Sequence, residues 1–286
     1  MVQTFEAVRA DAAARVAGIF EAELAGNDRL HAAMRHAVSG NGKYLRPALC
    51  VAAAGLFDAP DAQVSRVAAA IEAVHCYALA HDDLPSMDND DMRRGRAALH
   101  VAFDEATAIL AGNALLTLGF ALLADAETGA PPALIAGLAQ AVGARGMLGG
   151  QMADMADDAA DEAALARRHD MKTGALLVFA VEAGAILGGA DDDARDALTD
   201  YARDIGLAFQ IADDILDVAG KSETLGKTVG KDAASGKATF ATLLGVDEAR
   251  ARAQSLVARA VGRLDAFGTP AEPLRQAAAF VIARDS

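Results

Sequence analysis

Apolar residues recur at helical spacing along almost the whole chain, and only short breakers interrupt them. Ser39-Gly40-Asn41-Gly42, Asp58-Ala59-Pro60, Gly129-Ala130-Pro131-Pro132 and Gly188-Gly189 have the chemistry of turns between helices. No run alternates apolar and polar residues for long enough between turn signals to predict a strand. Such a pattern buries its faces helix against helix, so the expected fold class is all-α. Alanine dominates the 53% of hydrophobic residues, and there is no Trp, which suits closely packed helices better than a sheet. The 286 residues contain no obvious linker, so one core spanning residues 1–286 is expected.

The net charge of −14 argues against a nucleic-acid surface, which needs an excess of Lys and Arg. Anionic ligands must instead meet a local basic pocket or a metal. Cys50 and Cys76 fit neither a disulfide framework nor a metal pair and point to a reducing, cytoplasmic setting with buried thiols. Residues 1–23 lack the basic and apolar blocks of a signal peptide and read as a first helix. The stretch from Gly174 to Ala190, taken as the longest apolar one, carries Glu182 and four glycines, so no membrane span is expected. Residues 220–235 break the helical pattern with three lysines and three glycines and read as a long loop.

Two aspartate clusters lie about 130 residues apart, one at Asp82, Asp83 and Asp88 and one at Asp213, Asp214 and Asp217. A single such pair is ordinarily a solvated helix face. Helix phase argues otherwise here. Val64, Ala68, Ile71, His75, Ala78 and Asp82 share one stripe, so Asp82 continues a buried face. Pro85 then stops the helix, leaving Asp82 and Asp83 in its last turn, where the negative dipole end disfavours further negative charge. Asp88 lies beyond the break and can fold back toward the same cation.

In the second cluster Ile205, Ala208, Phe209, Ala212, Leu216 and Ala219 form an apolar stripe that Leu207, Ile211 and Val218 widen. Gln210, Asp213, Asp214 and Asp217 are left in a narrow polar strip. Three carboxylates in so buried a strip call for compensation, and nearby arginines do not match the spacing. Oxygen-only ligands suit Mg²⁺, which shares its remaining positions with water and substrate phosphates.

The basic residues fall into local groups: Lys43 with Arg46, Arg93 with Arg94, Lys172-Thr173-Gly174, and Lys227, Lys231 and Lys237. Each alone reads as surface charge. Beside two aspartate clusters they outline a diphosphate site, with magnesium bridging carboxylates to phosphate and the cations screening the rest. No histidine or cysteine spacing forms a nucleophilic dyad or triad.

With these residues in place the chain resembles the trans-polyprenyl diphosphate synthases over nearly its whole length. The stretch from His81 to Gly95 is similar to the first Asp-rich motif in its bacterial form, with two extra residues before the last Asp. Gly206 to Asp217 is similar to the second. Gly42 to Pro47, Phe103 to Gly112, Gly149-Gly150-Gln151 and Lys172-Thr173-Gly174 match in order. Asn113 departs from the pattern, since similar proteins often have Asp there.

The resemblance implies a bundle of antiparallel helices of the isoprenoid synthase type, with the motifs facing across a central apolar cavity, usually as a homodimer. It implies Mg²⁺, or Mn²⁺ in its place, held by Asp82, Asp83 and Asp88 with Asp213 and Asp217 opposite. Asp82, Asp83, Asp88, Lys172 and Asp213 would be the catalytic set. Arg93, Lys172, Thr173, Gln210, Lys227 and Lys237 would contact an allylic diphosphate. Lys43, Arg46, His75 and Arg94 would hold isopentenyl diphosphate, and the lysine-bearing loop would close over both. The implied reaction is ionisation of the allylic substrate, attack by the isopentenyl double bond and proton loss to pyrophosphate.

Tyr77, five residues before Asp82, would form the floor under the growing tail, as in similar farnesyl diphosphate synthases. Small Ala78 beside it leaves depth, so C20 and C10 products remain alternatives to C15. Three other readings carry less: a non-catalytic subunit would have lost a motif, a terpene cyclase would replace the second motif with an Asn/Ser/Glu pattern, and a helical calcium-binding protein would leave the cations without purpose.

Overall fold

The structure is a computed structural model describing residues 3–129, 132–156, 161–219 and 238–283. Helices account for nearly all of them, as the apolar spacing predicts. The first four are α1 (Phe5–Glu23), α2 (Arg29–Val38), α3 (Leu45–Ala54) and α4 (Asp61–Asp82). A short hairpin follows, β1 (Met92–Arg93) and β2 (Arg96–Ala97). Then come α5 (Leu99–Ala102), α6 (Glu105–Ala124), α7 (Pro132–Val142), α8 (Met147–Ala156) and α9 (Glu162–His169). A π-helical turn (Asp170–Gly174) leads into α10 (Ala175–Leu187) and α11 (Asp192–Ala219). The chain ends with α12 (Phe240–Leu244), α13 (Val246–Gly262) and α14 (Glu272–Ile282).

Helix starts fall where short polar side chains can accept from the first free amides. Thr4 caps α1, Asp28 caps α2, Asp104 caps α6 and Asp161 caps α9, each by a side-chain bond to the amide three residues on. Helix α4 is the hub. Twelve of its 22 residues are buried, and it packs against α1, α3 and α6. An alanine run from Ala68 to Ala73, broken by Ile71 and Glu72, allows this close approach on several sides. Helix α10 lies against α3, α7 and α11, and α11 packs in turn on α13 and α14.

Three features differ from the sequence expectation. The hairpin was not foreseen, because strands of two residues carry no alternation to read. Its turn has φ of 52° at Arg94 and 76° at Gly95, with Arg93 paired to Arg96, the backbone of a tight two-residue hairpin. Val218, expected to widen the apolar stripe of α11, is exposed. The longest apolar element is α6, not residues 174–190. Among the described residues it is the one helix long and apolar enough to cross a membrane, by length and composition only. Its Ala108, Ala111, Leu115 and Leu122 are buried in the cluster that also contains the α4 face.

Candidate active site

Helix α4 ends at Asp82, with Asp83 as its C-cap. Beyond Pro85 the chain folds back and supplies donors to carbonyls that the helix end leaves free. The Asp88 amide donates to the Asp82 carbonyl at 2.8 Å, the Asn89 amide to Leu84 at 3.1 Å, and the Asp90 amide to Asp83 at 3.2 Å. Asp82 and Asp88 are thereby tied together, both half-buried, as the break at Pro85 suggested.

Asp83 faces a different partner. It is 1% exposed, and its carboxylate receives both Nε, at 2.9 Å, and Nη2 of Arg93 from the hairpin. Arg93 Nη2 also lies 3.5 Å from Asp90. This fork-on-carboxylate geometry is strong and directional.

Lys172 and Thr173 sit in the π-helical turn, a kind of helical irregularity frequent at functional sites. Gly150 of α8 lies so close that a β-carbon there would overlap the Lys172 backbone, which gives the Gly149-Gly150 pair its purpose. Lys172 Nζ donates to Asp154 at 2.7 Å, and Arg168 Nε stands 3.5 Å from the same carboxylate. Burial works against the charged lysine, but Asp154, then Asp82 and Asp88, outweigh it and raise its pKa above 10.5. The charges of the first motif therefore act on Lys172.

On α11, Asp213 and Asp217 are half-buried and one turn apart, while Asp214 is buried and accepts the Phe240 amide at 2.8 Å. Gln210 hydrogen-bonds His169. Arg46 Nη1 lies 3.4 Å from His75 Nε2. Burial lowers the Arg46 pKa to about 10, against the opposing pull of Glu72 and Asp213. The first aspartate motif thus acts on Arg93 and Lys172, and Asp213 of the second acts on Arg46. Lys43 is exposed at the start of α3. Lys227, Lys231, Lys237 and the expected loop lie outside the described residues.

No three His, Cys, Asp or Glu side chains among the described residues converge into a ready-made metal cage. The donors come in pairs, Asp82 with Asp88 and Asp213 with Asp217. Such oxygen donors fit a hard divalent cation that draws its other ligands from water and phosphate.

The profile of the polyprenyl synthetase family matches residues 27–267. The chain belongs to this family. It is 45% identical over 234 residues to the farnesyl diphosphate synthase of Escherichia coli K12, with 78% of each chain covered. It is 40% identical over 266 residues to the chloroplastic geranylgeranyl pyrophosphate synthase of Catharanthus roseus, covering 90% of this chain and 74% of that one. A crystal structure of the Helicobacter pylori geranyltransferase, complexed with magnesium and isoprenyl diphosphate, matches with a TM-score of 0.79 and 29% identity, covering 96% and 98% of the two chains. The protein is a short-chain prenyltransferase with the all-α fold of the isoprenyl diphosphate synthases.

Several acids of the candidate site escaped the sequence reading: Glu72, Asp90 and Asp154 each touch an arginine or lysine named for it. Glu72 had a faint signal, a lone acid within an alanine-rich helix that has almost no polar face. Asp154 had less, being one of five acids between Asp154 and Glu162.

His169 makes the site acid-sensitive. Burial first, then the charge of Arg168, lowers its pKa from 6.5 to about 4. A base depressed in the folded state stabilises above its unfolded pKa, and that contribution is lost as pH falls through the folded one. Acidification from pH 6.5 to 4 should therefore cost on the order of 3 kcal/mol through this one group. Urea titrations of wild type and His169→Gln across that window would read it. The slopes should differ, and identical pH dependence would rule the contribution out.

Proposed function

We propose that this prenyltransferase condenses isopentenyl diphosphate with dimethylallyl or geranyl diphosphate and releases mainly farnesyl diphosphate and pyrophosphate. Asp82 and Asp88, with Asp213 and Asp217 opposite, would hold Mg²⁺ or Mn²⁺ on the allylic diphosphate. The donor chemistry and the magnesium in the Helicobacter relative support that assignment. When bound, the cation neutralises charge on the departing group. Lys172, with Thr173 and Gln210 beside it, meets the same diphosphate, held by Asp154. Arg93, fixed by Asp83, presents its charge from the hairpin side. Lys43, Arg46, His75 and Arg94 take the diphosphate of isopentenyl diphosphate, and Lys227 and Lys237 belong to the allylic set by resemblance alone.

In the reaction the allylic carbon–oxygen bond breaks and its electron pair leaves with pyrophosphate. The isopentenyl double bond then attacks the allylic cation and forms the new carbon–carbon bond. A proton leaves the carbon next to the new centre and passes to pyrophosphate, so no side-chain base is needed. The enclosing helices keep water from the cation.

The observation that carries the C15 product is the packing of Tyr77. It is 5% exposed, with the His81 ring edge-on at 4.9 Å, and His81 Nε2 lies 3.1 Å from the Ile109 carbonyl of α6. An aromatic braced between two helices is a firm floor for a tail lying in a central cavity. The Catharanthus relative favours the alternative C20 product, for which Ala78 would give depth. Incubation with geranyl and isopentenyl diphosphates, with Mg²⁺ or EDTA, should give mainly C15 that vanishes with EDTA. Tyr77→Ala should move most product to C20 or beyond. Mainly C20 from wild type, or unchanged C15 from the variant, would remove Tyr77 as floor.

We also place the chain as a single domain that works as a homodimer in the cytoplasm. The uncovered apolar side chains Val101, Ile109 and Leu110 support pairing with a second copy. Free, buried Cys50 and Cys76 suit a reducing compartment.

A further inference from the structure

We propose that Glu72 is a positioning residue for isopentenyl diphosphate, its buried carboxylate holding Arg94 in the orientation that meets the diphosphate. The inference rests on the reading of Arg94 as an isopentenyl diphosphate ligand.

Glu72 is 1% exposed in the middle of α4, surrounded along the chain by Ala69, Ala70, Ile71, Ala73 and Val74, all buried. A carboxylate there is costly to bury unless charge-paired. Its Oε1 accepts from Arg94 Nη2 at 2.9 Å. One turn on, Cys76 Sγ lies 3.6 Å from Arg94 Nη1. Two successive turns of α4 therefore grip the guanidinium along one edge.

The backbone of Arg94 adds an independent observation. Its φ of 52° is left-handed, a region that a β-carbon disfavours and that Asn or Gly fills in most such turns. A long cationic side chain is kept where Gly or Asn would fit better, and the surroundings over-determine its pose. From the other side Gly42 closes on it, since a β-carbon there would stand 3.1 Å from Nη1 and 3.2 Å from Cζ. The Gly40-Gly42 loop that packs on Arg94 leads directly into Lys43 and Arg46.

Charge completes the argument. The Glu72 carboxylate lies between two cations, ion-paired to Arg94 and attracting buried Arg46. Without Glu72 the two guanidiniums would repel each other, and Arg94 would lose the anion that aligns it. The same arrangement recurs at Asp83 with Arg93 and at Asp154 with Lys172. Each basic group is aligned by a buried acid before substrate arrives, which lowers the ordering cost of binding.

Steady-state kinetics of Glu72→Gln test this. Its KM for isopentenyl diphosphate should rise about tenfold, the scale of a lost outer-shell partner, with kcat and the KM for geranyl diphosphate within about twofold. Arg94→Gln should raise the isopentenyl KM further, and the double variant, in which Glu72 has no Arg94 left to align, should match Arg94→Gln. If Glu72→Gln does not fold, Glu72→Asp keeps the charge but withdraws it by one methylene, and the same comparison applies. An isopentenyl KM unmoved at Glu72 but raised by Arg94→Gln would overturn the role of Glu72 and leave the subsite standing. Equal rises for both substrates, or effects that add in the double variant, would also overturn it. An isopentenyl KM unmoved in Arg94→Gln would overturn the subsite itself.

Discussion

Asp82→Asn should lose turnover by about 10²- to 10³-fold while melting close to the wild-type temperature. Asp82 is the last residue of α4, at the negative end of the helix dipole, with Asp88 folded back beside it. Removing one charge from that crowded end relieves repulsion and offsets the lost attraction to Lys172, so folding changes little. Catalysis loses a carboxylate that would anchor the metal on the leaving group. The contrast between the two readouts is the point of the experiment. Incorporation of labelled isopentenyl diphosphate gives kcat, and a thermal melt gives Tm. A variant within tenfold of wild type in kcat would show that Asp82 does not carry the diphosphate.

Asp83→Ala should do the reverse in kind. Its carboxylate is buried and takes two guanidinium nitrogens of Arg93, so truncation strands a mostly buried cation. Breaking a buried pair from one side costs about 3–5 kcal/mol. Asp90, 3.5 Å from Arg93, offsets part of that and points to the lower end of the range. For a chain of this size the Tm should fall by on the order of 10 °C. Pairing the change with Arg93→Met removes the stranded charge and should recover much of the loss. A single variant that melts with wild type would mean the pair is solvated and structurally idle. Neighbouring aspartates of one motif are thus expected to separate, one serving chemistry and the other architecture.

That separation also marks the limit of what the sequence can disclose. The end of α4 at Pro85, the return of Asp88 and the polar strip of Asp213 and Asp217 all follow from helix phase and one proline, which are local. The diversion of Asp83 to Arg93 depends on a hairpin whose strands are two residues each, too short to show a period. Glu72 and Asp154 find their partners 22 and 18 residues away, so nothing in their own neighbourhood reveals the pairing. Val218 was misread because the stripe continues in sequence past the point where a neighbour covers it in space. The roles proposed for Lys43, Arg46 and His75 come from the family resemblance, which spacing alone does not supply.

The π-helical turn between α9 and α10 holds one further consequence. A π turn is an α-helix with an extra residue folded into it, and each residue of an α-helix advances the side chain by about 100°. The insertion therefore resets the angular origin of everything after it. Upstream, Arg168 and His169 can point toward Asp154 and Asp214, while downstream Leu177, Val181 and Ala185 keep their apolar face against α3 and α11. Lys172 and Thr173 of the candidate site thus occupy a phase slip in a helix otherwise built for packing.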